Sequence, residues 1–205
     1  MARSVTILFC CLCLNVLAQN GPKTEAADSI VHEEYMTAFG RAYFESDDFD
    51  KALATYDQAD TAKLAIHDLS NYAMAAFFRL QYQKALDIVQ YGLTRRPAYA
   101  PFNRLAFFCC TELEQYALAR QYANTLFSNT TSAPLFYYDY EYLVRLLTAN
   151  PLPDDTDKAR LIESYSYLIN YYLNEKDDTA SARQYAEKLL QIDPDNEAAK
   201  QIVQP

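Results

Sequence analysis

Apolar and small residues recur through 33–196 in steps of three and four. Ala52, Tyr56 and Ala59 stand four and then three residues apart, the spacing that keeps side chains on one face of a helix. The same steps give Ala85, Val89 and Gly92, then Ala119, Ala123 and Leu126, then Ala182, Ala186 and Leu189. The leading alanines of the first three sets are 33 and 34 residues apart, and the string A-R-Q-Y-A occurs at both 119–123 and 182–186. Upstream of each alanine lies a second helical stripe: Met36, Phe39, Gly40 and Tyr43; Leu69, Tyr72, Ala73 and Ala76; Phe102, Leu105, Ala106 and Cys109; Tyr165, Leu168, Ile169 and Tyr172. The pattern predicts helix pairs in which small residues let backbones approach and large ones fill the neighbouring holes. Pro97 and Pro194 each fall twelve residues after their alanine and end the second helix. Residues 133–149 read as a further first helix, broken by Pro151 and Pro153. Ala159 to Leu173 then reads as the long first helix of a final unit, its predecessor's partner helix being lost or replaced. Glu197 to Val203 predicts a short closing helix.

This spacing, with the ending L-L-Q-I-D-P-D-N at 189–196, resembles the tetratricopeptide repeat family. There is no Trp, and the third and last copies carry one residue more between the two stripes. The resemblance implies an all-α, right-handed α-solenoid of antiparallel helix pairs whose first helices line a groove. It divides the chain into a cleavable signal peptide (1–18), a lead-in (19–32), three repeats (33–132), an irregular helix with a Pro-containing loop (133–159), and a final repeat with its cap (160–205). The tyrosine-rich repeats behind a leader are also similar to exported repeat proteins of Bacteroidetes.

Met1-Ala2-Arg3 followed by a nearly unbroken apolar run from Val5 to Ala18 has the form of that leader, too short to span a bilayer as a permanent helix. Val16-Leu17-Ala18 places cleavage before Gln19, which predicts export with no transmembrane helix left after cleavage. The resemblance to Bacteroidetes proteins implies the periplasm or cell envelope of a Gram-negative bacterium. Loss of Arg3 takes the net charge from −9 to −10, a balance that excludes a nucleic-acid partner. Glycines at 21, 40 and 92 build no phosphate-cradling loop, and two histidines leave no multi-His metal centre. No H-E-x-x-H, nucleophile elbow or C-x-x-C occurs, so neither an enzyme, a metal nor a cofactor is expected. Cys109 and Cys110, neighbours pointing apart on a helix, read as small buried apolar residues. Asp47-Asp48 and Asp177-Asp178 read as helix caps, and Asn129-Thr130-Thr131 has the form of a glycan acceptor.

Carrying the family's groove over by a spacing of 33 gives three columns: Thr37, Ser70 and Asn103; Arg41, Met74 and Phe107; Phe44, Phe77 and Cys110. From these the candidate peptide-binding residues are Thr37, Arg41, Phe44, Ser70, Met74, Phe77, Asn103 and Phe107, an apolar surface with Arg41 as its basic handle. Packing between helices would use Phe77 and Phe107 equally well. The expected function is a non-enzymatic adaptor or scaffold holding a protein or peptide. The alternative is a module that binds a glycan or cell-wall fragment through tyrosine-rich helices, with Tyr138 and Tyr142 as its surface.

Overall fold

In this computed structural model residues 25–128, 134–149 and 155–204 are described, with side chains from Glu34 onward. The leader, the 129–131 acceptor sequence, Pro151 and Pro153 lie outside them. Ten helices follow one another among the described residues: α1 (Glu25–Glu45), α2 (Phe49–Tyr56), α3 (Ile66–Phe78), α4 (Tyr82–Arg95), α5 (Ala100–Glu112), α6 (Tyr116–Phe127), α7 (Tyr137–Thr148), α8 (Asp155–Asn174), α9 (Thr179–Ile192) and α10 (Glu197–Val203). Each helix packs on the next, and α1, α3, α5 and α7 also touch in succession, so the first helices form one continuous layer.

Small residues set the distance between helices. Ala52, Ala85, Ala119 and Ala182, near the starts of α2, α4, α6 and α9, are all fully buried. A Cβ on Gly40 would stand 2.8 Å from the Tyr56 ring, and one on Gly92 would collide with the fully buried Phe102 ring. These two glycines are helical, and what they supply is contact, not backbone freedom.

The turns repeat as faithfully as the helices. Asp47, Leu80, Glu114 and Asp177 all take positive φ, between 53° and 59°, and each stands five residues before its buried alanine. In the first three turns the hydrogen-bond pairs are the same. Leu80 N–H donates to Phe77 O (2.9 Å) and Gln81 N–H to Ala76 O (2.9 Å), matched by Asp47 with Asp48 and by Glu114 with Gln115. This double bond around a left-handed residue closes the free carbonyls of a helix end. The third turn therefore has no extra residue, contrary to the sequence expectation. The last turn does: Asp178 N–H reaches Tyr172 O (2.8 Å), one residue further back. Asp48 and Asp178 then cap α2 and α9 by accepting from Lys51 N–H and Ser181 N–H.

The irregular stretch resolves into a shared helix. α8 packs against both α7 and α9, so it occupies the partner position that the sequence leaves open for α7. Tyrosines form both contacts. Tyr140 stacks on Tyr167 (centroids 3.9 Å) and Tyr137 on Tyr171 (4.4 Å), while Tyr172 stacks on Tyr185 (5.6 Å). Arg120 of α6 holds the start of α8 through a two-pronged pair with Asp157 (2.6 and 2.7 Å).

Candidate functional site

α3 and α5 are each thirteen residues long and end in the same turn, so they correspond with an offset of 34 instead of 33. One residue on a helix is about 100° of rotation, and this decides which side chains reach the open face of the first-helix layer. Met74 therefore corresponds to Phe108, and Ser70 to Arg104. Phe107 turns inward and is fully buried, in edge contact with Tyr142. Asn103 is buried too, its amide donating to Pro97 O (3.1 Å) and Tyr99 O (3.2 Å) at the start of α5. Neither belongs to the open face, and Ser70 is also buried.

What does face outward is an apolar cavity of about 410 Å³ across three helices. α3 contributes Met74, Phe77 and Phe78; α5 contributes Pro101, Arg104, Leu105 and Phe108; α7 contributes Tyr138 and Tyr142. Tyr142 stacks on Phe108 (4.1 Å, 22°), and Phe108 meets Tyr138 edge-on at 5.9 Å and Phe77 at 6.3 Å. The two surfaces that the sequence separates, Met74 with Phe77 and Tyr138 with Tyr142, are thus walls of one cavity. Phe44 stands at its margin, packing on Phe49, which stacks on Phe78 (4.5 Å).

Arg104 lines the cavity, and Arg145 packs on its wall residue Tyr142. Arg104 donates from Nε to Asp139 (2.8 Å) and from Nη2 to Pro134 O (2.7 Å), and its guanidinium lies over Phe136 (4.9 Å) and Tyr138 (5.9 Å). Asp139 is fully buried, and that burial pushes its carboxyl above the usual range against the pull of Phe136 N–H and Arg104. Arg145 pairs with both oxygens of Glu112 (2.7 and 3.0 Å) and lies 4.8 Å over the Tyr142 ring. Tyr142 completes the group, its hydroxyl donating to Glu112 at 2.6 Å. The bonds from Arg145 hold Glu112 below its ordinary pKa, while burial and then the Glu112 contact push Tyr142 up.

A second, polar depression of about 380 Å³ lies beside α1. Thr37 and Arg41 line it with Glu34, Lys63 and Asp68. Arg41 is less free than its position in the sequence implies, because its Nε and Nη2 grip the buried Asp68 at 2.9–3.2 Å. Cys109 and Cys110 are both fully buried, and burial raises both thiols, Cys110 to about 11. Neither is a thiolate at neutral pH. Among the described residues no cluster of His, Cys, Asp or Glu has the makings of a metal site, and no helix is long and apolar enough to cross a membrane.

The lining residues missed by sequence reasoning are Phe78, Pro101, Arg104, Leu105 and Phe108. A usable signal was present, since Ala85 and Ala119 are themselves 34 apart. Applying that spacing to the first helices, in place of 33, leads from Met74 to Phe108.

No family model matches the chain, and no curated protein matches its sequence. Solved structures do match its shape. MamA from strain AMB-1 superposes with a TM-score of 0.61 at 12% identity, covering 84% of this chain and 99% of that one. MamA from Desulfovibrio magneticus RS-1 gives 0.55 at 15% identity, covering 81% and 97%. YrrB, described as a TPR protein with an unusual peptide-binding site, gives 0.54 at 16% identity, covering 86% and 94%. At such identities the likeness is one of fold.

Proposed function

The chain has the tetratricopeptide-repeat fold, a right-handed α-solenoid, and on that premise we propose that it is an exported, non-enzymatic adaptor that holds a protein or extended peptide on its first-helix face. The observation that carries this reading is the cavity between α3, α5 and α7, apolar in its walls and rimmed by polar groups, the make-up of a binding site. An adaptor needs such a surface and no reacting group. The leader at 1–18 supports the periplasm or envelope as its location. The glycan reading draws less support, because Tyr142 commits its hydroxyl to Glu112 and the walls offer few polar groups to a sugar.

Photo-crosslinking in the native host tests the adaptor reading. A photoreactive side chain at Met74 or Tyr138 should capture the same protein, and one at the exposed Gln90 of α4 should not. Equal capture from all three positions would remove the cavity from consideration. Fractionation of the host tests location separately: the protein should leave with periplasmic or envelope fractions, and deletion of residues 1–18 should retain it in the cytoplasm.

A further inference from the structure

The groove's arginines say what kind of peptide it takes. Three ion pairs join neighbouring first helices: Arg41 with Asp68, Arg104 with Asp139, and Arg145 with Glu112. In every one the carboxylate is the more buried partner and the guanidinium the more accessible one. The acids are 1%, 0% and 18% exposed, against 45%, 16% and 51% for their arginines. A ligand arriving at this face meets cations, although the whole chain carries −9.

These guanidinium groups are also held ready. Arg104 and Arg145 are fixed between a carboxylate and an aromatic ring, Tyr138 and Tyr142 being the rings that wall the cavity. A guanidinium has five N–H donors, and the bonds to Asp68, Asp139, Pro134 and Glu112 leave donors over on each arginine. A planar donor pre-oriented beside an apolar cavity matches a carboxylate that flanks an apolar side chain. The polar depression is mixed, since Glu34 lines it together with Arg41 and Lys63. Selection therefore concentrates on Arg104 and Arg145.

Resting on the groove reading above, we infer that the occupant is an acidic peptide segment: an apolar anchor enters the cavity between α3, α5 and α7, and flanking side-chain carboxylates meet Arg104 and Arg145. Carboxylates within the segment suffice, so a free C-terminus is unnecessary.

The test uses three dye-labelled peptides blocked at both ends, sharing a Leu-Phe centre and flanked by Asp and Glu, by Ser, or by Lys. Fluorescence polarisation with the purified protein should rank them acidic, neutral, basic. A gap of about tenfold or more between acidic and basic at low salt should largely close at about 1 M salt, where the Debye length shrinks to about 3 Å. Arg145→Gln should weaken the acidic peptide about tenfold and leave the neutral one unchanged, and Arg145→Lys should restore part of the loss. Arg145 is half-exposed and Glu112 keeps Tyr142 as donor, so both variants are expected to fold, as circular dichroism would verify. Met74→Ala should weaken all three peptides. Binding that depends on Met74 but ignores charge, or that favours the basic peptide, would overturn the acidic occupant and leave the groove standing. Binding indifferent to Met74→Ala, or no binding of any peptide, would overturn both.

Discussion

Leu80 stands at φ 59° with 70% of its surface exposed, an apolar side chain in a backbone region that disfavours it by about 1–2 kcal/mol. Asn visits this region more readily and removes the exposed apolar surface. Leu80→Asn should stabilise the protein by about 0.5–1 kcal/mol, read as a higher midpoint in urea unfolding with an unchanged slope. Gly92 argues the opposite way. Gly→Ala inside a helix ordinarily gains about 1 kcal/mol of propensity. Here the new methyl would land on the Phe102 ring, which is fully buried and has nowhere to move. Gly92→Ala should therefore destabilise by about 1–3 kcal/mol despite the better helix former, and lower Tm by several degrees. A propensity gain with no clash would raise Tm and refute the packing account. Gly92 was visible in the sequence as a small residue at a repeat position; that its neighbour is a rigid ring from the next unit was not.

At the scale of elements, the helices were legible because their apolar stripes have a strong period and the leading alanines Ala52, Ala85, Ala119 and Ala182 are all buried. The orientation of α5 left its mark only in the 34-residue step from Ala85 to Ala119. Its residues 102–111 are all buried or nearly so except Arg104, so burial around the whole circumference erased the polar side that would have fixed its rotation. The conserved geometry of the turn settles it, through hydrogen bonds from Glu114 and Gln115 that depend on backbone positions and leave little trace in side-chain chemistry. The joint at α8 makes a similar point. Asp157 is nearly buried, and Arg120 from α6 neutralises it across the irregular stretch. Arg120→Met removes both of its bonds to Asp157 and should cost about 1–3 kcal/mol, reduced from the fully buried case because Arg120 is itself partly exposed. In a solenoid each unit leans on its neighbours alone. Amide exchange should accelerate through α8 and α9 while α3 and α4 keep their protection; uniform acceleration would show that the joint is not a local seam.

Across the whole molecule, the eighteen tyrosines take the place that Trp leaves empty, and many have been drawn inside. Burial raises Tyr56 and Tyr185 to about 12, and pushes Tyr72, Tyr142 and Tyr172 up as well, with carboxylates as further causes. A folded-state pKa above the unfolded value of about 10 means stability that is complete below that pH and lost as pH rises toward 12. Tm should hold steady up to about pH 10 and then fall steeply, with the buried tyrosinates absorbing only as the chain unfolds. Full ionisation at pH 10 in a folded chain would contradict this burial. By itself the sequence determined the fold class and the expectation of export. Helical periodicity is a local property of consecutive residues, and a leader is written in a single contiguous run. Only the tertiary structure decided which side chains share a surface. Met74, Phe108 and Tyr142 meet because three turns each impose a rotation, and Arg104 faces outward because Asp139, distant in sequence, sits buried behind it. A rotation error of one residue costs nothing in a periodic pattern, yet exchanges Phe107 for Phe108 at the cavity wall; packing of neighbouring helices is what removes that freedom.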